Sequence, residues 1–368
     1  MKKLTALLLC LSLVLTLFAG CSGADTSATT QAPTEATAEP TTEATTEPTT
    51  EPTTVPTEPP VLYTNPLTGE ALDAPITTIP LAVSMTNTQD ALPHRGAVYA
   101  DLYFESYVNG TIVRGLAVYA DITEAESVGA VRSARPLFTD ICKHYGMLYA
   151  HTGASPYGYQ ELSRYGILHK VMDVDNPEYD YSYRAPERKK KIGELHSVVV
   201  NGTGLLEHME NVKKVDMSLP ENANFGLTFA EDGTPAGGET ANTVEITIKY
   251  GSSRKGTTMV YNEESRKYEY NQYGQTMRDE LTNEVEGFTN VVVMFAEMYG
   301  IEGYQYARFN KGGTGYFACG GKIIPITWKC EGDTSPFTFY TADGEPLDFG
   351  VGSSYIAITS NGAPISYK

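Results

Sequence analysis

Apolar runs separated by turn residues mark the chain between residues 80 and 220, and their periodicity alternates between that of strands and that of helices. The pattern predicts strands at 81–85, 112–119, 147–150 and 167–174, and helices at 97–107, from Pro136 onward and at 157–165. Pro136 suits the first position of a helix, where its missing N–H costs no hydrogen bond. Because strand-helix-strand repetition favours parallel pairing under covering helices, we expect an α/β domain with a mostly parallel sheet at 61–220.

The pattern of apolar and turn-forming residues changes after residue 220. Turn-forming strings at 219–222 (Leu-Pro-Glu-Asn) and 232–238 (Asp-Gly-Thr-Pro-Ala-Gly-Gly) indicate a domain boundary near residue 220. Short apolar or alternating runs then follow at 244–248, 258–261, 268–271, 290–295, 315–319, 322–328, 337–340 and 354–358. Such closely spaced strands predict a β-rich domain at 221–368, either an antiparallel sandwich or an open barrel. The predicted fold class is therefore α+β, with an N-terminal α/β domain followed by a β-rich C-terminal domain.

The first twenty residues have the pattern of a secretory signal peptide. Lys2 and Lys3 precede an apolar run at 4–18, and the small residues Ala19 and Gly20 lead into Cys21. The run is too short and too soon interrupted to be a permanent membrane span. Its ending resembles the lipobox of bacterial lipoproteins, in which the cysteine is diacylated and becomes the new amino terminus. This resemblance implies lipidation of Cys21, and two acyl chains anchor a protein stably.

Residues 21–60 predict a disordered stalk. After Cys21 they are almost entirely Thr, Pro, Glu, Ala and Ser, a composition that cannot bury an apolar core. A signal peptide, a lipid on Cys21 and a stalk together predict an extracytoplasmic protein, anchored to the outer face of the cell membrane.

Charge and cysteine usage exclude several functions. From Val61 onward the chain has 25 basic and 38 acidic residues, a formal charge of −13, which argues against nucleic-acid binding through a broad basic face. The thiols outside the predicted leader and lipid site, at Cys142, Cys319 and Cys330, lack the spacing of a zinc site, and no histidine motif suggests a metal or cofactor. A hairpin turn at 320–321 would pair Cys319 with Lys322 and carry Cys330 away along the partner strand, so we expect three free, buried thiols.

Several strings in both predicted domains are similar to one family. They are 80–83 (Pro-Leu-Ala-Val), 100–105 (Ala-Asp-Leu-Tyr-Phe-Glu), 111–114 (Thr-Ile-Val-Arg), 128–136 (Val-Gly-Ala-Val-Arg-Ser-Ala-Arg-Pro), 151–156 (His-Thr-Gly-Ala-Ser-Pro), 326–329 (Ile-Thr-Trp-Lys) and 343–347 (Asp-Gly-Glu-Pro-Leu). In these strings the chain resembles the YerB-like bacterial lipoproteins, over residues 65–368. The resemblance implies a two-domain layout and an envelope location, but no activity, because both family domains are of unknown function. The string at 92–96 (Leu-Pro-His-Arg-Gly) departs from the family pattern.

The loops after the predicted parallel strands carry a set of polar side chains. Loops at 86–95, 121–135 and 151–156 would open on one edge, where open α/β sheets usually bind ligands. They would bring together His94, Arg95, Arg132, Arg135, His151 and Ser155. Helix starts and forked guanidinium donors both favour anions, so this edge predicts a site for carboxylate or phosphate. The alternative is structural: the arginines pair with acids such as Asp101 or Glu105 and only hold loops in place.

Tyrosines accompany this edge. The chain has 25 tyrosines and one tryptophan, and Tyr157, Tyr159, Tyr179, Tyr181 and Tyr183 lie near the predicted site. Their rings could stack on sugars or on a partner's surface, or they could simply cover sheet and helix faces.

A nucleophilic enzyme is the second hypothesis. Ser155 or Ser133 would attack, with His151 or His196 as the base that activates the hydroxyl. No G-x-S-x-G motif is present, and a serine before Pro156 is commonly a helix cap. Whether the protein catalyses a reaction is therefore left open.

Three functions follow from these observations. The first is a binding or scaffolding module for an anionic or polyol ligand, such as a wall polymer or an envelope protein. The second is a Ser/His-dependent hydrolase or transferase acting on envelope polymers. The third is a purely structural role in assembly.

Overall fold

The computed structural model describes residues 63–167, 170–176 and 178–368. The described residues form one compact unit. The predicted signal peptide at 1–20 and the predicted stalk at 21–60, which includes Cys21, lie outside the described residues. Within the described ranges, no helix is both long and apolar enough to cross a membrane.

Strands dominate the described part of the chain. Its α-helices are α1 (Pro136–Tyr145), α2 (Pro156–Arg164), α3 (Pro186–Ile192) and α4 (Gly202–Asn211). The strands before residue 220 are β1 (Tyr63–Thr64), β2 (Ala71–Leu72), β3 (Leu81–Thr86), β4 (Leu102–Asn109), β5 (Ile112–Tyr119), β6 (Val128–Gly129), β7 (Leu148–His151), β8 (Val171–Asp173), β9 (Ser182–Arg184) and β10 (Val198–Val200). The strands after it are β11 (Thr228–Ala230), β12 (Glu239–Thr240), β13 (Thr243–Tyr250), β14 (Ser253–Asn262), β15 (Lys267–Gln272), β16 (Gln275–Thr276), β17 (Gly287–Phe288), β18 (Asn290–Ala296), β19 (Met298–Ile301), β20 (Tyr304–Ala307), β21 (Gly313–Cys319), β22 (Lys322–Lys329), β23 (Thr338–Thr341), β24 (Asp348–Gly350), β25 (Ser354–Ser360) and β26 (Ile365–Tyr367).

The largest sheet has 13 strands and mixed direction. Its main order is β12-β22-β21-β18-β25-β4-β5-β3-β7-β8, with β19, β20 and β23 attached at the side. Pairing is parallel for β18 with β25, β25 with β4, β3 with β7 and β7 with β8, and antiparallel elsewhere.

The prediction of an N-terminal α/β domain with a mostly parallel sheet was wrong. Strands β3, β4 and β5 pair antiparallel, with Leu81 opposite Tyr119 and Leu102 opposite Val118. An antiparallel pair needs only a short turn, whereas the prediction assumed a helical crossover at 97–107. That helix does not form, so the parallel pairs in which both strands come from this part of the chain are β3 with β7 and β7 with β8.

The segment 97–107 was misassigned because it is buried on both sides. Only a short 3₁₀ turn occupies Ala97–Tyr99, and the strand β4 follows with nearly every residue buried. A strand covered on both faces has a continuous apolar run, which a helix also shows, so periodicity cannot separate the two. The Asn109-Gly110 pair before β5 is the usual signal of a tight hairpin, and it indicates a strand rather than a helix.

Two apolar clusters lie on opposite faces of the large sheet, since alternate residues of a strand point to opposite faces. One cluster joins β3, β4 and β5 to a six-stranded antiparallel sheet with the order β16-β15-β14-β13-β26, in which β17 also pairs with β15; it includes Val83, Met85, Tyr103, Ala117, Ile246 and Tyr270. The other packs the opposite face against α1, and it includes Ala82, Phe104, Leu116, Phe138, Ile141 and Ile356. The large sheet is therefore the middle layer of the molecule.

Strands from both sides of residue 220 share the large sheet. β25 lies between β18 and β4 and is parallel to both. The boundary near residue 220 stays a prediction, and the large sheet contains strands from both sides of it.

Several local predictions were confirmed. The helices from Pro136 and at 157–165 correspond to α1 and α2, and the strand at 147–150 corresponds to β7. Of the strand predicted at 167–174, the described part contains Val171–Asp173. Cys319 pairs with Lys322 across the hairpin, and Cys142, Cys319 and Cys330 are all free and buried.

Candidate functional site

One edge of the large sheet gathers the carboxyl ends of three parallel strands. β3, β7 and β8 run side by side in the same direction, with Val83 opposite Ala150 and His151 opposite Asp173. β5 runs the other way, so its beginning reaches the same edge, where Arg114 lies opposite Thr86. The edge expected from sequence therefore exists locally, although most of the sheet is not parallel.

Arg114 projects from β5 at this edge and is 2% exposed. Its Nη1 donates a hydrogen bond to the carbonyl oxygen of Ser133. Burial lowers the pKa of Arg114 well below its ordinary value, and the nearby charges of Arg135 and Arg132 lower it further. Burial and two neighbouring like charges both raise the free energy of the charged form of Arg114.

Arg132 lies on the loop that crosses the end of β3. Its main-chain N–H donates to the carbonyl oxygen of Ser84 at 2.6 Å, which fixes the loop on the strand. Its Nη1 donates to the carbonyl oxygen of Leu195 at 2.8 Å. Burial, and then the charge of Arg184, lower the pKa of Arg132.

Arg135 is the residue immediately before α1. Its Nη1 donates to the carbonyl oxygen of Ala134 at 2.9 Å, and its guanidinium lies 5.8 Å from the centre of the Tyr304 ring. Its Nε is buried without a hydrogen-bond partner among the described residues. Burial lowers the pKa of Arg135, while Tyr149 and Tyr304 oppose that effect. We call Arg114, Arg132 and Arg135 together the arginine site.

No carboxylate pairs with the arginine site in the described part of the chain. None of its three guanidinium groups is in a salt bridge there. The acids expected as structural partners bind elsewhere: Asp101 accepts from Asn65 and from the Ala120 N–H, and Glu105 accepts from Lys255, Asn87, Thr257 and Tyr355. The arginine site thus concentrates positive charge that internal acids do not neutralise.

Two helices begin at the same edge. Both start with proline, α1 directly after Arg135 and α2 directly after Ser155. The Ser155 Oγ accepts from the Gly158 N–H at 2.9 Å, so this hydroxyl is the cap of α2. The first N–H groups of a helix lack partners within the helix and favour anions, which adds to the positive potential of the edge.

His151 ends β7 and is 1% exposed. Its Nδ1 lies 2.8 Å from the carbonyl oxygen of Gly153. Since a carbonyl only accepts, Nδ1 must carry the proton. Burial lowers the pKa of His151, against the opposing charge of Asp173, so the ring is neutral near pH 7.

His94 and Arg95 lie in a different cluster. The Nδ1 of His94 contacts Glu286 at 3.0 Å, and Arg95 pairs with Glu280 at 2.9 Å and with Glu187 at 2.5 Å. These contacts hold the 92–96 loop against residues of the C-terminal half, and the two side chains do not join the arginine site.

The candidate nucleophiles and bases do not form pairs. Ser133 lies between Arg132 and Arg135, and His196 contacts Asp90 at 3.4 Å through Nε2 while its Nδ1 is buried without a partner. Among the described residues, no hydrogen bond joins a serine hydroxyl to a histidine ring. No group of three or more His, Cys, Asp or Glu residues in those ranges is placed to hold a metal ion.

The sequence-based site omitted Arg114. It lies within an apolar strand run, and a charge in such a run is usually assigned a structural role. The neighbouring Gly115 packs closely against Tyr103, since a Cβ there would lie 2.0 Å from the Tyr103 hydroxyl, but this contact gives no sequence signal for Arg114.

Comparison with known proteins gives a family but no activity. Residues 67–218 match the family model "Protein of unknown function (DUF3048) N-terminal domain", and residues 246–356 match its C-terminal domain. The chain is 25% identical over 316 residues to the "Putative lipoprotein YerB" of Bacillus subtilis (strain 168), covering 80% of this chain and 85% of that protein. The crystal structure of the YerB protein from Bacillus subtilis has the same fold, with a TM-score of 0.69 at 23% identity, over 82% of this chain and 99% of that one.

Proposed function

Because the chain belongs to the DUF3048 family, whose two domains have no established function, we propose a function from its own site: an extracytoplasmic lipoprotein that binds an anionic ligand through the arginine site. The ligand carries phosphate or carboxylate groups, as a wall polymer or an acidic segment of an envelope protein does. The similarity to a lipoprotein supports the envelope location.

The observation that carries the proposal is the absence of a carboxylate partner for the arginine site within the described ranges. From Val61 onward acids outnumber bases by 38 to 25, so a paired arrangement was readily available to this chain. Arg114 is buried, and a buried arginine whose only role is structural is normally paired, because an unpaired buried charge is costly; Arg132 and Arg135 are partly exposed. An arriving anion would relieve the mutual repulsion of Arg114, Arg132 and Arg135.

Donor geometry supports the same ligand class. Each guanidinium carries five N–H donors and the structure assigns only one side-chain hydrogen bond to each of the three. Forked donors suit the paired oxygens of carboxylate and phosphate, and the beginnings of α1 and α2 add main-chain N–H groups. Binding rather than turnover fits the neighbouring groups, since Ser155 caps a helix and His151 donates to a main-chain carbonyl.

Calorimetric titration of the full chain in detergent with inorganic phosphate tests the proposal. We expect saturable binding that weakens about tenfold or more in Arg132→Ala and in Arg135→Ala, since hydrogen bonds to charged groups contribute about 1.5–3 kcal/mol each. Arg266→Ala is the matched control, because Arg266 forms an exposed pair with Asp232 away from this edge. Equal phosphate affinity in all four proteins, or no binding of phosphate or citrate by the parent, contradicts the proposal.

A further inference from the structure

We propose that the cleft beside Tyr183 is a saccharide subsite continuous with the arginine site, so that the ligand is a glycan bearing anionic groups. This inference rests on the proposed function and names the chemical class of its ligand. The arginines would bind the charged group, and the cleft would bind the neutral, hydroxyl-rich ring next to it.

The cleft has the shape and lining of such a subsite. Tyr183 lies in the middle of the edge strand β9 and is 45% exposed, while the preceding Ser182 is buried. Tyr183 lines two open cavities of about 550 Å³ and 590 Å³. The first is lined among others by Asp175, Asn176, Tyr179 and Arg184. Aromatic faces with a few convergent polar groups are typical of small-molecule sites, and an exposed ring can stack on the apolar face of a sugar.

Main-chain contacts connect this cleft to the arginine site. Arg184 Nη1 donates to the carbonyl oxygen of Glu194 at 2.7 Å, and Arg132 Nη1 donates to the next carbonyl oxygen, that of Leu195. The two arginines are close enough for the charge of Arg184 to lower the pKa of Arg132. On the other side, the Val174 N–H, which lies at the cleft, donates to the carbonyl oxygen of His151 at 2.8 Å. Arg184 at the cleft and Arg132 of the arginine site therefore hold successive carbonyl oxygens, so the two places are neighbours.

The charges of the cleft and of the arginine site favour different parts of the ligand. Arg184 differs from Arg132 because it is paired, with Asp175 at 2.5 Å and with Glu194 at 3.2 Å. Asp180 adds an exposed carboxylate to the cleft. An anionic group is disfavoured beside these acids, whereas carboxylate and amide oxygens readily accept from sugar hydroxyls. The negative charge of the ligand must then lie at the arginine site, with its uncharged ring at Tyr183.

The experiment compares phosphate monoesters that differ only in the group they carry. The full chain in detergent is titrated calorimetrically with methyl phosphate, glucose 1-phosphate and N-acetylglucosamine 1-phosphate. We expect at least one sugar phosphate to bind about fivefold or more tightly than methyl phosphate, because stacking of its sugar ring on Tyr183 adds to the free energy of binding. Tyr183→Ala should abolish this difference and leave methyl phosphate affinity unchanged, and Tyr183→Phe, which keeps the ring, should retain it.

The outcomes separate the two proposals. If methyl phosphate binds, and Arg132→Ala weakens it, but neither sugar phosphate binds more tightly, the saccharide subsite is wrong and the anion site stands. An advantage of the sugar phosphates that survives in Tyr183→Ala also overturns the subsite. If none of the three esters binds the parent protein, the proposed function itself fails.

Discussion

Arg114 donates a hydrogen bond to the carbonyl oxygen of Ser133, the residue that directly follows Arg132 on the loop leading to Arg135. A strand residue thus holds the loop that carries the other two arginines. Ser84 adds a second attachment, since its carbonyl oxygen accepts from the Arg132 N–H. The arginine site is therefore preorganised by the sheet, which reduces the ordering that a ligand would otherwise have to impose.

This arrangement predicts an unusual effect on stability. Arg135→Gln removes one of three neighbouring unpaired charges, and we expect the free energy of unfolding to rise by about 1 kcal/mol in the absence of ligand. The matched variant is Arg188→Gln, because Arg188 is fully buried and pairs with Glu280. Arg95 still pairs with Glu280 in this variant, but the carbonyl oxygens of Ala91, Pro93 and His196 lose the hydrogen bonds that Arg188 donates, and this should cost about 3 kcal/mol. Urea unfolding at low salt measures both; similar destabilisation by the two variants would mean that Arg135 is structural.

Ser155 gives a second prediction. Its hydroxyl caps α2, so Ser155→Ala should lower the free energy of unfolding by about 1 kcal/mol. Ser155→Asp should recover that loss, because a carboxylate also accepts from the Gly158 N–H and favours the helix N-terminus. A serine that did not cap the helix would show neither the loss in Ser155→Ala nor the recovery in Ser155→Asp. Urea unfolding of the three proteins distinguishes them, and an unchanged stability in Ser155→Ala contradicts the capping role.

How far the sequence could predict this molecule depended on whether the informative contacts are local. The helix starts at Pro136 and Pro156 rest on local chemistry, and α1 and α2 form where the pattern indicated. The pairing of β3 with β5, by contrast, depends on contacts between residues about 28 to 38 positions apart in sequence and on a strand, β4, that is buried on both faces. Hydrophobic periodicity indicates neither which strands pair nor that β4 is a strand buried on both faces.

The site shows the same division. Arg132 and Arg135 could be chosen from sequence, because they precede a helix start on a loop between predicted elements. Arg114 could not, since only the antiparallel register of β5 with β3 brings the beginning of that strand to the edge. His94 and Arg95 were included in the predicted site because their loop follows β3. They instead form contacts with Glu286 and Glu280, which are distant in sequence, and so lie in a different cluster.

A buried ion pair between the two halves gives a third prediction. Glu105 on β4 and Lys255 on β14 are both buried, and their charged atoms are 2.5 Å apart. Lys255→Met should cost about 3–5 kcal/mol, because it leaves the Glu105 carboxylate buried without its cation. Adding Glu105→Gln should recover part of the loss, since the amide is neutral. Guanidinium unfolding of both variants tests this coupling; strictly additive losses in the double variant would contradict it.

His144 gives a prediction about pH. Burial, and then the charge of Lys143, lower the pKa of His144 to about 4. The unfolded ring, with a pKa of about 6.5, takes up a proton between pH 6.5 and 4 that the folded ring does not, so this residue destabilises the fold as pH falls through that window. Asp140, 3.8 Å away, acts in the opposite direction, because burial raises its pKa to about 6 and the folded chain holds that proton.

His144→Asn removes only the histidine contribution, so the variant should lose less stability on acidification than the parent. From pH 7 to pH 4.5 we expect the difference in free energy of unfolding to shift by about 2 kcal/mol in favour of the variant. Urea unfolding across that range measures it. Parallel pH profiles for the two proteins would show that the ring is not kept neutral by burial.

Anchoring provides the last prediction, and it concerns residues that the structure does not describe. The proposed location rests on a lipid at Cys21, the cysteine that directly follows the predicted signal peptide. Two acyl chains bind a bilayer stably, so Cys21→Ala should abolish incorporation of labelled palmitate and release the protein from the membrane fraction. Cys10→Ala is the matched control, because Cys10 lies inside the predicted signal peptide and should leave lipidation unchanged. A Cys21→Ala protein that remains in the membrane fraction would mean that the chain is held there by something other than this lipid.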